Sequence, residues 1–322
     1  MASVPDMIKK QPTRIAVLFP GQGSQIVGMT SELAEAYPEI RDTFAEASEA
    51  LSEDLWAICQ DEEKLNQTQY TQPALLTASI AIWRILQPKF KKAPCYLAGH
   101  SLGEYSALCA AGVISLADAV RLVHTRGQLM QEAVVGIDTA MAAVLGLEDH
   151  RVENLCEQAT EHVDGAIVGA ANFNSPGQVV VSGNAAGVTA VIDKVKNTGK
   201  KAIPLKVSVP SHCALMAPAS SALAEALAAI KFDQATIPVI QNRHARVESS
   251  AAGIKQALTE QLSEPVLWSK TMQELADKQI NILIECGSGN VLSNLAKRQA
   301  QPIASYPTDK PTRLDKLMEV LS

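Results

Sequence analysis

Cys95-Tyr96-Leu97-Ala98-Gly99-His100-Ser101-Leu102-Gly103-Glu104 decides the fold of this chain. An apolar run leads into G-x-S-x-G, and Tyr105-Ser106-Ala107-Leu108 continues with helical character. Strand, sharp turn and helix in that order describe a nucleophile elbow, whose strained turn lifts the serine oxygen above the sheet. Gly99 and Gly103 remove the Cβ atoms that would collide there. The helix starts just past Ser101, so its free N–H groups and positive dipole end face any oxyanion formed at that serine. An activated serine is the first expectation.

Outward from the elbow, apolar strands alternate with helices. Residues 14–19, closed by Pro20-Gly21, read as a buried strand, and amphipathic helices follow to about Cys59. Proline is favoured in a first helical turn, so a long helix is predicted to start at Pro73, with Thr71 or Gln72 at its cap, and to run to Leu86. Another helix is predicted over 115–133, and a strand over 282–285 precedes a helix after Gly289. Such alternation through short loops implies a parallel sheet covered on both faces. Between 139 and 207 the order becomes β-α-β-β-α-β, that of a ferredoxin-like unit, with 172–177 predicted as a loop. The expected class is α/β. A large α/β-hydrolase-like domain with a parallel sheet (14–138 and 208–322) carries a small ferredoxin-like subdomain (139–207), after a loose polar extension (1–13).

Composition narrows the function. Of 322 residues 47% are apolar and 19% charged, which suits a large core and excludes a disordered chain. A formal charge of −6 argues against nucleic acid as a partner, because phosphate contact needs a basic face. No apolar run reaches membrane-spanning length, and the start lacks the apolar core of a secretory signal, so no membrane partner is expected. Six scattered cysteines without a C-x-x-C pair suit a reduced cytoplasmic protein with no metal site.

A serine nucleophile needs a base. His150, His162 and His244 lie in polar stretches, and His124 falls on the polar side of its helix. His100 adjoins the serine, but neighbours at an elbow point apart, so it is expected to line the pocket. His212 sits where an apolar strand stops at Pro210 and a helix follows, at the mouth of the sheet. It is the expected base, with a capping or core role as the alternative. A free imidazole titrates at about 6.5, so activity is expected to fall on the acid side near there.

Gly21-Gln22-Gly23 follows the first strand. Its glycines are too few for a dinucleotide fingerprint, whereas backbone N–H groups near Gln22 suit an oxyanion. Arg126 lies on the apolar stripe of its helix, with Ala119, Leu122, Val123 and Met130. A guanidinium facing the core needs an anion or several acceptors. An internal carboxylate and a substrate carboxylate, gripped by two parallel bonds, are equally open.

Taken together, these stretches resemble the bacterial malonyl-CoA:acyl carrier protein transacylases of fatty-acid synthesis. The matching motifs are residues 19–25, 71–74, 99–107, Arg126-Gly127, 174–178, 209–216 and Pro265-Val266 with Trp268, in the family's order. The resemblance implies an acyltransferase needing no cofactor, with malonyl-CoA and an acyl carrier protein as partners. It implies that Ser101 takes the malonyl group as an ester and that His212 is its base. Backbone N–H groups of Gln22 and Leu102 would form the oxyanion hole, and Arg126 would hold the malonyl carboxylate. His100, Gln72 and Asn174 would line the cleft, and the backbone carbonyl of Leu267 would orient His212. Ser288 stands where the family usually has proline, so that turn is expected to be looser. The carrier is expected to be acidic, and Lys194, Lys196, Lys200 and Lys201, or Lys297 with Arg298, are candidate steering residues.

Two other readings compete. A serine hydrolase of the patatin-like lipase or thioesterase kind could pair Ser101 with Asp164, in the turn Asp164-Gly165-Ala166. A non-catalytic carrier-binding protein could keep the scaffold without the chemistry.

Overall fold

The computed structural model describes residues 12–321. Of the expected N-terminal extension, residues 1–11 lie outside the described residues, while the carbonyl of Pro12 accepts a hydrogen bond from Asn281 Nδ2 at 3.1 Å.

Ten strands among the described residues run, in chain order, β1 (Ile15–Phe19), β2 (Tyr96–Gly99), β3 (Thr139–Leu145), β4 (Val168–Ser175), β5 (Gln178–Asn184), β6 (Lys201–Pro204), β7 (Val239–Gln241), β8 (Arg246–Val247), β9 (Ile282–Glu285) and β10 (Ala304–Pro307). They form two sheets, one of six strands ordered β10-β9-β1-β2-β7-β8 and one of four ordered β4-β5-β3-β6. In the six-stranded sheet every pairing is parallel except β7 with β8. The strands of its middle are buried on both faces. On β1, Val17 and Phe19 enter one core cluster, while Ala16 and Leu18 enter the other. That two-sided burial is why the strand reads as an unbroken apolar run. The four-stranded sheet is antiparallel throughout, and its elements follow the predicted β-α-β-β-α-β order.

Three local expectations need correction. The long helix spans Thr68–Leu86, so Pro73 lies inside it rather than at its start. Proline cannot donate to the carbonyl four residues back. That carbonyl, of Gln69, instead accepts a hydrogen bond from His124 Nδ1 at 2.8 Å. His124 comes from the neighbouring helix Leu116–Glu132, whose N-cap Ser115 accepts from Asp118 N. The two helices meet closely at Gly127, where a Cβ would fall 2.6 Å from Gln69 Cα. Second, 172–175 belongs to β4 rather than to a loop, and only Pro176-Gly177 turns into β5. Register shifts at Ala170/Asn172 and Phe173/Ser175 interrupt the ladder, the kind of bulge that re-aims side chains such as Asn174. Third, the turn at Ser288 is tied down. Its buried hydroxyl donates to the Ser24 carbonyl at 2.8 Å, anchoring the loop after β1.

Candidate active site

Ser101 sits between β2 and the helix Gly103–Ala110 with φ 51°, a left-handed conformation that costs a non-glycine residue energy. The glycines make the turn possible. A Cβ on Gly99 would overlap the backbone of Gly103, and one on Gly103 would overlap the Phe19 carbonyl at the end of β1. The turn is held from outside by Asn242, which follows β7. Its Oδ1 accepts from Ser101 N at 2.6 Å and its Nδ2 donates to the Gly99 carbonyl at 2.5 Å.

His212 reaches the serine from the far side of the chain. Its Nε2 lies 2.7 Å from Ser101 Oγ, and its Nδ1 donates to the backbone carbonyl of Gln261 at 2.6 Å. That second bond fixes the tautomer, leaving Nε2 free to accept the hydroxyl proton. Burial, and then the nearby Arg126 charge, push the His212 pKa down to about 3. The imidazole is therefore neutral at any ordinary pH, as a base must be.

Arg126 is 1% exposed. One guanidinium nitrogen donates to Gln72 Oε1 at 2.9 Å; the other lies 3.1 Å from Gln261 Oε1 and 3.4 Å from Ser101 Oγ. The guanidinium carbon also lies 5.4 Å from the centre of the Tyr105 ring. Its Nε has no partner among the described residues. Every side chain that its guanidinium hydrogen-bonds is neutral, and Glu104 acts on it only through space, so its N–H groups at the cavity are left for an anion.

A cavity of about 570 Å³ opens onto these groups. Gln22, Ser101, Leu102, Arg126 and His212 line it from the six-stranded side, Met141, Asn174 and Val180 from the four-stranded side. His100 joins the two, with its ring nitrogen 2.8 Å from Asn174 Oδ1 and its ring tilted 5.3 Å from Trp268. Neither Gln22 nor Leu102 spends its backbone N–H on a backbone acceptor among the described residues. Chemically, the arrangement offers a nucleophile, a neutral base and an unneutralised cation around one space.

Comparison with known proteins bears on what that space receives. The family model described as an acyl transferase domain matches residues 17–306. The malonyl CoA-acyl carrier protein transacylase of Escherichia coli strain K12 is 48% identical over 96% of this chain and 100% of its own. The chain belongs to the malonyl-CoA:acyl carrier protein transacylase family. The FabD structure from Acinetobacter baumannii superposes with a TM-score of 0.93 at 51% identity, covering 96% of this chain and 98% of that one. A malonyl transacylase solved in complex with a type II PKS acyl-carrier protein superposes with a TM-score of 0.92 at 46% identity, over 96% and 100%.

Against this transacylase family frame, two residues expected from the sequence sit differently. Leu267 does not orient His212. Its carbonyl accepts from Thr271 N at 3.0 Å as the helix Trp268–Asp277 begins, and the carbonyl of Gln261 takes the histidine instead. Gln72 is fully buried behind Arg126, so it holds the guanidinium rather than lining the cavity. Asp164 stands exposed on the turn before β4 and does not border the cavity. Sequence reasoning missed Gln261 and Asn242. Gln261 acts through a backbone carbonyl, which leaves no signature in residue type. Asn242 follows a strand in a run, Gln241-Asn242-Arg243-His244, that reads as an ordinary polar loop.

Proposed function

We propose that this protein transfers malonyl groups from malonyl-CoA to the phosphopantetheine thiol of an acyl carrier protein, supplying fatty-acid synthesis, through a malonyl ester on Ser101. Curated relatives bear that name, and one structural neighbour was solved with its carrier protein bound. Ser101 Oγ attacks the thioester carbonyl while its proton passes to His212 Nε2. Backbone N–H groups of Gln22 and Leu102 receive the oxyanion. Collapse expels the CoA sulfur, which takes the proton back from His212. The carrier thiol then repeats the sequence in reverse, its proton going to His212 and returning to Ser101. Residues 139–207 act as a small subdomain that closes one wall of the cleft, and the protein works in the cytoplasm.

The placement of Arg126, 3.4 Å from the nucleophile and bonded only to neutral groups, carries this reading. A carboxylate on the acyl group supplies the missing anion, and a hydrolase has no need of it. Incubation with malonyl-CoA alone should add one malonyl mass to the peptide containing Ser101, and Ser101→Ala should abolish it. Two charge-assisted bonds are worth about 3–4 kcal/mol after non-additivity. Arg126→Ala should therefore lower malonyl kcat/KM by roughly 10²–10³ while acetyl loading falls far less. Equal losses for both acyl groups would make the arginine structural and sink the malonyl assignment.

A further inference from the structure

Glu104 takes no part in the steps above, yet it is fully buried in the first turn of the elbow helix. One carboxyl oxygen, Oε2, bridges two donors: the backbone N–H of Asn242 at 2.8 Å and the side-chain amide of Gln261 at 3.0 Å. The other, Oε1, has no partner among the described residues. Burying a carboxyl group with so few donors is costly, and it raises the Glu104 pKa to about 7. A leucine or methionine would fill the volume at lower cost, so the oxygen has a task.

The Gln261 amide shows what that task is. Its Nε2 donates to Glu104 Oε2 and to the Ser101 carbonyl (3.0 Å), while its Oε1 accepts from Arg126. One edge of the amide meets only acceptors and the other meets a guanidinium, which can only donate. Turning the amide over would set NH₂ against guanidinium and oxygen against oxygen. Glu104, with the Ser101 carbonyl, supplies the acceptors that block this flip. Arg126 itself bonds to Gln72, Ser101 and Gln261 and to no carboxylate among the described residues. A carboxylate in direct contact would neutralise the guanidinium and compete with any anionic substrate. Placed one amide away, it fixes the guanidinium without occupying it.

We propose that Glu104 is a positioning residue: by holding the Gln261 amide it keeps Arg126 aimed at the acyl cavity and so sets the preference for an acyl group that bears a carboxylate. This rests on the malonyl reading of the site. The bridging oxygen accepts in either protonation state, because a proton can sit on Oε1. Glutamine at 104 reproduces the bridge, whereas aspartate is one methylene short of it.

The test compares malonyl-CoA and acetyl-CoA loading of the full chain for Glu104→Ala, Glu104→Asp and Glu104→Gln, in parent and Gln261→Ala backgrounds. One lost bridging bond corresponds to a fall of about ten-fold in the malonyl-to-acetyl ratio of kcat/KM. That fall is expected for Glu104→Ala and Glu104→Asp, with most of the ratio recovered in Glu104→Gln. In the Gln261→Ala background the same substitutions should leave the ratio unchanged, because the amide through which Glu104 acts is gone. Should Glu104→Ala fail to fold, the Asp and Gln pair carries the comparison. A parallel fall for both acyl groups, or an equal effect in the two backgrounds, overturns the proposal. A parent enzyme that loads no malonyl overturns the reading of the site instead, and the proposal with it.

Discussion

Two residues at the centre of the site hold positive φ, Ser101 at 51° and His212 at 63°, and each is held by bonds from a distant part of the chain. For His212 those surroundings change the expected pH behaviour. An exposed imidazole would switch off activity near 6.5, but burial and Arg126 bring this one down to about 3. The acid limb of acetyl loading should therefore lie well below 6.5 in the parent protein. Arg126→Ala removes the second cause while leaving most of the burial, so its limb should move upward, toward 6.5. Linkage has the same origin. Between about 3 and 6.5 the unfolded chain binds this proton and the folded one does not. The neutral His212 thus contributes stability that is present above 6.5 and is lost as pH falls toward 3. Pre-steady-state loading across a pH series checks the kinetic claim, and a limb at 6.5 in both proteins would refute it. Ser101, His212 and Arg126 were legible because side-chain type and pattern announce them. The acceptor for His212 was not, because a backbone carbonyl can come from any residue, and the expected Leu267 lies six positions from the Gln261 that supplies it.

At the scale of elements, the elbow was readable because its constraint is steric and local, while the helix over Thr68–Leu86 was misjudged because its constraint is tertiary. Proline inside a helix strands a carbonyl, and only contact with His124 of the next helix makes the longer helix tolerable. Nothing near Pro73 in sequence reveals that partner, 51 positions beyond the proline. The Asn172 and Asn174 turn signals misled in the same way, since bulges let β4 absorb residues that favour loops. The steric claim can be checked at Gly103, whose Cβ would overlap the Phe19 carbonyl in the middle of the sheet. Backbone cannot move aside as a flexible side chain can, so Gly103→Ala should cost about 1–3 kcal/mol of stability and displace the nucleophile. Gly169, on β4, has open space where a Cβ would go and serves as the control. Thermal unfolding and malonyl loading of both variants should show loss in Gly103→Ala alone. Comparable behaviour of the two would mean that the glycine is not what permits the elbow.

Across the whole molecule, β4 stitches the four-stranded sheet to the rest along one side of the cavity. Phe173 N donates to the Val266 carbonyl, Val266 N to the Ala171 carbonyl, and Gln299 Nε2 to the Asn174 carbonyl, all on β4. The opposite edge, β6 and the segment after it, leads back past Leu205, Lys206 and Val207 at the cavity wall. This edge also carries positive charge on a chain whose net charge is −6. Lys196 is paired with Asp193 at 3.3 Å and Lys194 reaches Gln158, but Lys200, Lys201 and Lys206 are exposed and have no acidic partner among the described residues. Of the other expected steering pair, Lys297 reaches Asn294 at 3.4 Å and Arg298 is engaged with Gln178 at 2.9 Å. On the expectation that the carrier is acidic, one approaching the β6 edge meets unneutralised lysines that run from the far end of β6 toward Ser101. Steering of this kind acts on the encounter rate and is screened within about 8–10 Å at ordinary ionic strength. Changing Lys200 and Lys201 together to glutamate should slow transfer to the carrier several-fold at low salt, with the gap closing as salt rises, while malonyl-CoA still loads Ser101 at the parent rate. If loading falls and transfer does not, the lysines serve the CoA phosphates. If both proteins give the same transfer rate across the salt series, this edge does not receive the carrier.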